Sequence, residues 1–157
     1  MKEFKFKIEK LKRNQLKQAC KLVKDCFNEF IAPSFSLKGR KEFLFSVTPE
    51  KFIERLKSKK SEYYVAVRNN QLIGIIRTKK NYGISLLFID KKFQKKGIAK
   101  RLFKKVESVF KKKGNKSIRI KSSLYAIRFY EKMGFKKSTG ITKSHGMIYQ
   151  PMRKLLN

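Results

Sequence analysis

The chain has 157 residues, of which 41% are hydrophobic, so it can form one domain with a continuous core but has no room for a second. Its 14 Phe and 6 Tyr residues exclude an intrinsically disordered chain, although 34% of the residues are charged. The 42 Lys and Arg residues against 11 Asp and Glu residues give a formal net charge of +31, which must attract polyanions. We predict a single domain over residues 1–157.

The sequence also limits where the protein can act. No segment approaches the roughly 20 apolar residues that cross a bilayer, and residues 1–10 alternate charged and apolar residues instead of forming a signal sequence. We therefore expect a cytoplasmic protein with no membrane contact. Cys20 and Cys26 lie on one predicted helix and point about a third of a turn apart. This direction supports neither a disulfide nor a metal pair, and we expect no metal.

The N-terminal part predicts one strand followed by helices. Residues 4–8 alternate apolar and charged side chains, which is the pattern of a half-buried strand at or near a sheet edge. Apolar residues recur every three or four positions over residues 13–30, the period of an amphipathic helix that ends before Pro33. Residues 34–60 predict a looser helical region. It starts afresh at residues 48–50, Thr-Pro-Glu, where Thr caps and Pro takes the first helical position.

The middle of the chain predicts three strands and a helix. Residues 63–67 and 72–76 are strand-like and flank the turn signal Asn-Asn-Gln at 69–71, which indicates a hairpin. Residues 84–89 are apolar on both faces, so this strand should lie inside the sheet. A clear amphipathic helix follows over residues 97–113.

The C-terminal part continues the alternation of strand and helix. Residues 118–121 predict a short strand, and residues 122–134 a helix that serines can cap and glycine can end. Phe135 begins another strand, and residues 147–149 form the last one. The predicted order is βααβββαβαββ, a mixed α/β single domain.

The loop of residues 94–99, Gln-Lys-Lys-Gly-Ile-Ala, joins a buried strand to a helix. Such a loop presents free backbone N–H groups and the positive end of the helix dipole, which suit a pyrophosphate. Gly97 lets the backbone approach the ligand, and Ala99 keeps the next turn thin. Three lysines add positive charge around the phosphates: Lys95, Lys96 and Lys100. None of the glycines has the spacing of the other common phosphate loops.

Two motifs carry a resemblance to a known family. The pattern Q-x-x-G-x-A of residues 94–99 is similar to the coenzyme A signature of the GNAT superfamily of N-acetyltransferases. Residues 121–135 follow at the expected distance and resemble the family's second block, which ends F-Y-E-K-x-G-F. Residues 147–152 resemble the final strand of bacterial members, and the predicted element order matches the family along nearly the whole chain. Only residues 31–60 carry little signal, and Ala99 stands where glycine is commoner.

The resemblance implies a GNAT-like α/β (α+β mixed) fold, with a central, mostly antiparallel twisted sheet and helices on both faces. It implies acetyl-CoA as co-substrate. It also implies that Tyr130 protonates the departing thiolate and that the amide of Ile89 or a neighbour serves the developing oxyanion. The strand would pair with the pantetheine arm, the loop would hold the pyrophosphate, and a serine would contact the cofactor. These residues are Leu87, Phe88 and Ile89; Gln94, Lys95, Lys96, Gly97, Ile98, Ala99 and Lys100; and Ser123.

Several assignments stay open at the level of sequence. Tyr130 falls on the apolar face of its helix, so a role as a core aromatic is the alternative to an acid. His145, the only histidine, is expected on the surface rather than as a general base. Glu29, Glu62 and Asp90 are other candidates for the base, and loss of the amine proton through a chain of water molecules is a further alternative. No spacing argument chooses among them.

Three functions fit these motifs. The first is transfer of an acetyl group to a primary amine of a small molecule or protein, by direct attack in a ternary complex. The second is an RNA- or ribosome-directed acetyltransferase, and the third is a non-catalytic CoA-binding module. Nucleic acid is a possible partner because of the net charge but is not favoured, since lysines are scattered over every element and a chain rich in Phe and Ile without Trp also fits AT-rich coding. We expect a monomer or a homodimer.

Overall fold

The computed structural model describes residues 3–80 and 83–157, and within these residues it contains eight strands and five α-helices. The strands are β1 Lys7–Lys10, β2 Tyr63–Arg68, β3 Gln71–Lys79, β4 Gly83–Ile89, β5 Ser117–Ser122, β6 Lys136–Lys137, β7 Thr142–Ser144 and β8 Met147–Leu155. The helices are α1 Leu16–Cys26, α2 Leu37–Ser46, α3 Pro49–Lys57, α4 Ile98–Lys112 and α5 Ile127–Lys132.

The strands form one sheet in the order β1-β2-β3-β4-β5-β8-β6, and the short β7 pairs with β8. All neighbouring pairs are antiparallel except β4 and β5, which are parallel because the helix α4 crosses over between them. The mixed, mostly antiparallel sheet confirms the predicted fold class. The first strand lies at a sheet edge, as predicted, but it covers Lys7–Lys10 rather than residues 4–8.

The sheet separates two hydrophobic cores because strand residues alternate between its faces. Tyr63, Val65 and Val67 of β2 face the core covered by α1 and α3. Tyr64 and Ala66 face the core covered by α4 and α5. Helices therefore cover both faces, as predicted.

Local signals placed most element ends correctly. The hairpin turn between β2 and β3 holds Asn69 and Asn70 at φ 50° and 62°, the left-handed conformation that a two-residue turn requires. Thr48 caps α3 by accepting a hydrogen bond from the Lys51 N–H at 3.2 Å, and Pro49 takes the first helical position.

The structure refines the end of the first helix and differs from the predicted element order at two places. The first helix continues past Cys26 as a π-helical turn, Phe27–Ile31. The looser region 34–60 divides into α2 and α3, and β7 adds a strand, so the order is βαααβββαβαβββ. A three-residue strand is too short to show an alternating pattern in the sequence.

Both cysteines lie on one helix, as the sequence predicts. Cys20 and Cys26 are both buried free thiols on α1. Desolvation by burial raises the pKa of both thiols, that of Cys26 to about 12. In the part of the chain that the structure describes, no helix is long and apolar enough to cross a bilayer.

Gly39 of α2 packs closely against Gly146, which lies in the turn between β7 and β8. A Cβ atom on Gly39 would lie 2.5 Å from the carbonyl oxygen of Gly146, and the same oxygen accepts a hydrogen bond from the Ser36 N–H at 3.0 Å. We therefore expect Gly39→Ala to lower the free energy of unfolding by about 1–3 kcal/mol through overpacking. Thermal unfolding measures the loss. Gly140→Ala is the control, because no atom lies within 4 Å of its Cβ position, and an equal Tm for both variants would contradict this close contact.

Candidate active site

A gap opens in the sheet between β4 and β5. The two strands pair only at Gly83 with Arg119 and at Ile84 with Ile120. Beyond these pairs β4 continues to Ile89 without a strand partner on that side. The carboxyl ends of the two parallel strands therefore diverge, and backbone groups of β4 are left free for another chain-like ligand.

The hydrogen-bonding pattern between β3 and β4 determines which peptide groups of β4 face the gap. The Asp90 N–H donates to the Ile73 oxygen of β3 at 2.9 Å. Alternate residues of an antiparallel strand hydrogen-bond to the same neighbour, so the N–H and C=O of Phe88 also point toward β3. Phe88 therefore faces the site with its side chain and not with its peptide group. Leu87 and Ile89, which alternate with it, direct their peptide groups toward the gap.

The loop after β4 presents a group of free donors. Lys95 and Gly97 have φ of 62° and 79°, which reverse the chain into α4. The first bond within this helix runs from the Arg101 N–H to the Gly97 oxygen, so the N–H groups of the three preceding residues have no helical acceptor. Within residues 3–80 and 83–157, no side chain caps them. This 15-residue helix thus offers its positive end to an anion.

A cleft of about 600 Å³, called the main cleft below, lies between this loop, β4 and α5. It is lined by 11 of the 12 residues that the sequence assigned to the site: Leu87, Phe88, Ile89, Gln94, Lys95, Gly97, Ile98, Ala99, Lys100, Ser123 and Tyr130. The exception is Lys96, whose Nζ lies 5.8 Å from the centre of the Phe4 ring.

The main cleft also contains residues that the sequence analysis missed. Arg128 and Lys132 of α5 line it and add positive charge. They are four residues apart and so share one helix face, a signal that spacing could have revealed. Phe30 of the π-helical turn and Tyr125 stack with ring centres 4.9 Å apart and also line the cleft.

A second cavity of about 250 Å³ is lined by residues from the π-helical turn, α2, β3, β4, β5 and β8. It shares several lining residues with the main cleft, namely Ile31, Leu87, Phe88, Ser123, Ala126 and Tyr130. The two spaces therefore adjoin at the diverging strand ends. A group bound in one can react with a group bound in the other.

Tyr130 lies where the two cavities adjoin. Its side chain is 4% exposed, and its ring packs edge-to-face on Phe135 with the centres 5.4 Å apart. The hydroxyl has no hydrogen-bond partner among residues 3–80 and 83–157. Burial raises the pKa of Tyr130, so the hydroxyl keeps its proton at neutral pH.

Polar groups also surround the end of β4. The Ile89 oxygen accepts hydrogen bonds from the Cys26 Sγ at 3.3 Å and from the Gln94 Nε2 at 3.5 Å. Gln94 thereby fixes the start of the loop. Ser123 occupies an N-cap position without a side-chain cap bond, so its hydroxyl is free to contact a ligand.

None of the candidate bases lines either cavity. Glu29 pairs with Lys91 at 2.6 Å, Glu62 accepts a hydrogen bond from the Tyr64 hydroxyl at 2.7 Å, and Asp90 accepts one from the Lys92 N–H. His145 is exposed in the turn between β7 and β8, which confirms the surface position expected for it. In the described part of the chain, no three His, Cys, Asp or Glu side chains are grouped as a metal site would require.

Comparison with protein families gives one match to this chain. A family model described as an acetyltransferase (GNAT) domain matches residues 31–156, which is most of the sequence. That range includes all the residues that line the two cavities except Phe27 and Phe30. A comparison with curated proteins finds no match.

Solved structures share the whole architecture. The PaiA N-acetyltransferase from Thermoplasma acidophilum, in complex with coenzyme A, has a TM-score of 0.82 and 23% identity, covering 97% of this chain and 99% of that one. A GCN5-related N-acetyltransferase from Rhodopseudomonas palustris has a TM-score of 0.84 and 15% identity, with 99% of each chain covered. An aminoglycoside 6′-N-acetyltransferase complexed with coenzyme A has a TM-score of 0.66 and 17% identity, covering 96% and 97%. These likenesses establish the fold.

Proposed function

Because this chain belongs to the GNAT acetyltransferase family, we propose that it transfers the acetyl group of acetyl-CoA to a primary amine. The observation that supports this most directly is the main cleft, which joins a free helix N-terminus to an unpaired strand end beside a buried tyrosine. Two of the structurally similar N-acetyltransferases are complexes with coenzyme A. The 11 sequence-predicted residues in this cleft are our candidates for the site.

The residues of the main cleft fit acetyl-CoA chemically. The free N–H groups at the start of α4 suit the pyrophosphate, and a Cβ atom on Gly97 would meet nothing within 4 Å, so the approach to them is open. The peptide group of Leu87 suits an amide group of an extended pantetheine arm, and the N–H of Ile89 remains for the acetyl group. Four cations surround this path and balance the phosphate charge: Lys95, Lys100, Arg128 and Lys132.

The chain's own groups then assist a direct transfer, for which acetyl-CoA supplies the activated acetyl group as a thioester. The amine nitrogen forms the new C–N bond, the C–S bond breaks, and the amine loses a proton to solvent. The Ile89 N–H donates to the oxygen on which negative charge develops. Tyr130 gives its proton to the departing sulfur and regains one from solvent.

The direct test is amine-dependent release of the CoA thiol by the purified protein, with mass spectrometry to find one added acetyl group on the amine. Acetyl-CoA alone and amine alone are the controls. Thiol release that requires both substrates is the expected result. Saturable acetyl-CoA binding without acetylation of any amine in a broad panel would contradict enzymatic transfer.

We expect the pH dependence of kcat/KM to follow the acceptor. No Asp, Glu or His lines either cavity, so only the neutral fraction of the amine reacts, and kcat/KM rises with pH up to the acceptor's own pKa. Burial raises the pKa of Tyr130 above its ordinary value of about 10, so the acid stays protonated and causes no fall below that pH. Profiles for two amines of different pKa measure this. A midpoint that stays fixed near pH 7 for both would indicate a protein base.

A further inference from the structure

The second cavity limits the size of the acceptor. Its volume of about 250 Å³ lies below the roughly 300–1,000 Å³ of sites for drug-sized ligands. Aromatic residues of the π-helical turn, α2 and β8 close it on one side: Phe27, Phe35, Phe43 and Tyr149. A compact amine with few atoms fits this space.

The charge of the second cavity is entirely positive. Arg77, Lys79 and Lys121 line it, and none of its described lining residues is Asp or Glu. The same holds for the main cleft. An acceptor with a second ammonium group would therefore meet like charges and no carboxylate.

Arg77 is the central cation of this cavity because it is half-buried and has no counter-ion among the described residues. Its Nε donates to the Ser85 Oγ at 2.6 Å, and its Nη1 donates to the Tyr63 hydroxyl at 3.4 Å. Both partners are neutral, and no carboxylate among the described residues pairs with it. A guanidinium has five N–H donors, so several remain for a ligand. A buried cation without a partner is costly, and an anionic ligand would compensate it.

The two neighbouring lysines add to the positive charge of the second cavity. Partial burial, then the positive charges of Lys121 and Arg77, lower the pKa of Lys79. The Nζ of Lys121 lies 5.0 Å from the centre of the Tyr149 ring, which holds this cation at the wall of the cavity. Three cations from two strands thus act on one small space.

On the basis of the proposed acetyl transfer, we propose that the acceptor is a small primary amine with an anionic group, a carboxylate or a phosphate, at its other end. Arg77 binds this anionic group, with Lys79 and Lys121 beside it, and the amine points toward Tyr130. Polyamines and aminoglycosides are poor acceptors by this criterion. One structurally similar enzyme is an aminoglycoside acetyltransferase, so this chain would differ from that relative in the charge of its substrate.

Amines that differ only in the distant group test this inference. γ-Aminobutyrate, aminobutanol and putrescine share one chain length and end in a carboxylate, a hydroxyl and an ammonium group. Ethanolamine phosphate against ethanolamine tests a phosphate in the same way. We expect kcat/KM for thiol release to be at least about tenfold higher for the anionic member of each series. A preference in only one series identifies which anion is bound.

Charge variants locate the effect. We expect Arg77→Gln and Lys79→Glu each to lower kcat/KM for the preferred anionic amine by about tenfold, with the Kd for acetyl-CoA unchanged. Lys79 is more exposed than Arg77, so its variant tests the inference even if the Arg77 variant does not fold. Lys112→Glu, an exposed lysine at the far end of α4, is the matched control and should change neither value.

Each outcome separates the inference from the proposed function. Equal rates within both series, or faster acetylation of putrescine, would overturn the anionic acceptor while acetyl transfer stands. Absence of turnover with every amine of a broad panel overturns the proposed acetyl transfer and the inference with it, and absence of acetyl-CoA binding in addition removes the cofactor site as well.

Discussion

Gly97→Glu is expected to raise the Kd for acetyl-CoA by at least about 100-fold, because it opposes several charge-assisted hydrogen bonds at once. The new carboxylate would lie beside the free N–H groups at the start of α4 and compete with the pyrophosphate for them. A Cβ atom at this position meets no protein atom within 4 Å, so the side chain extends into the open space of the site rather than into the core. Calorimetric titration with acetyl-CoA measures the effect.

The same helix provides a matched control at its other end. Gly114 follows α4 with φ 82°, close to the 79° of Gly97, and its Cβ position is equally open. Gly114→Glu therefore introduces the same side chain with the same backbone strain, at a distance from the main cleft. We expect it to lower stability but to leave the Kd near that of the native chain. Equal binding by both variants would refute the pyrophosphate site.

Ionic strength has to be controlled in this titration because the net charge of +31 attracts any polyanion. Non-specific attraction between exposed charges is screened within about 8 Å at physiological salt, whereas hydrogen bonds at a helix N-terminus persist. A Gly97-dependent Kd at moderate salt is thus the signature of a specific site. Binding that disappears with salt in both variants would point to the surface charge alone.

The sequence predicted those parts of the site that depend on neighbouring residues. The loop of residues 94–100 is read from spacing within a few positions, and a helix start and its glycine follow from local rules. Lys96 shows where this reasoning stops. Lys95 adopts φ 62°, which turns the following side chain away from the main cleft and toward Phe4. A residue's direction in an irregular loop depends on such dihedral angles, and the sequence does not encode them locally.

The second cavity could not be predicted because its walls come from distant segments. Phe43, Arg77, Lys121 and Tyr149 lie on four different elements and meet only through the sheet order. The sequence also could not predict which residues of β4 direct their peptide groups toward β3. This depends on the strand register, which shifts near Thr78. The sequence identified the strand that carries Phe88, but the sheet decides that its side chain rather than its peptide faces the site.

Tyr130→Phe is expected to lower kcat by about 100-fold or more, the usual contribution of a general acid, while the Kd for acetyl-CoA stays unchanged. Burial keeps the hydroxyl protonated, and Tyr130 lines both cavities, in which the proposed function would place the reacting groups. Single-turnover thiol release with a saturating amine, together with calorimetry, separates the two quantities. Tyr125→Phe is the control, because this residue lines the same cleft with 61% exposure and would keep its stack on Phe30.

Stability distinguishes this role from that of a core aromatic. The ring contact with Phe135 survives in Tyr130→Phe, and the lost hydroxyl has no partner among the described residues, so Tm should not fall. A structural tyrosine would show the reverse pattern, with altered Tm and normal turnover. A large loss of kcat at constant Tm and constant Kd would therefore identify Tyr130 as the residue that protonates the departing thiolate. Unchanged kcat would remove this residue from the mechanism.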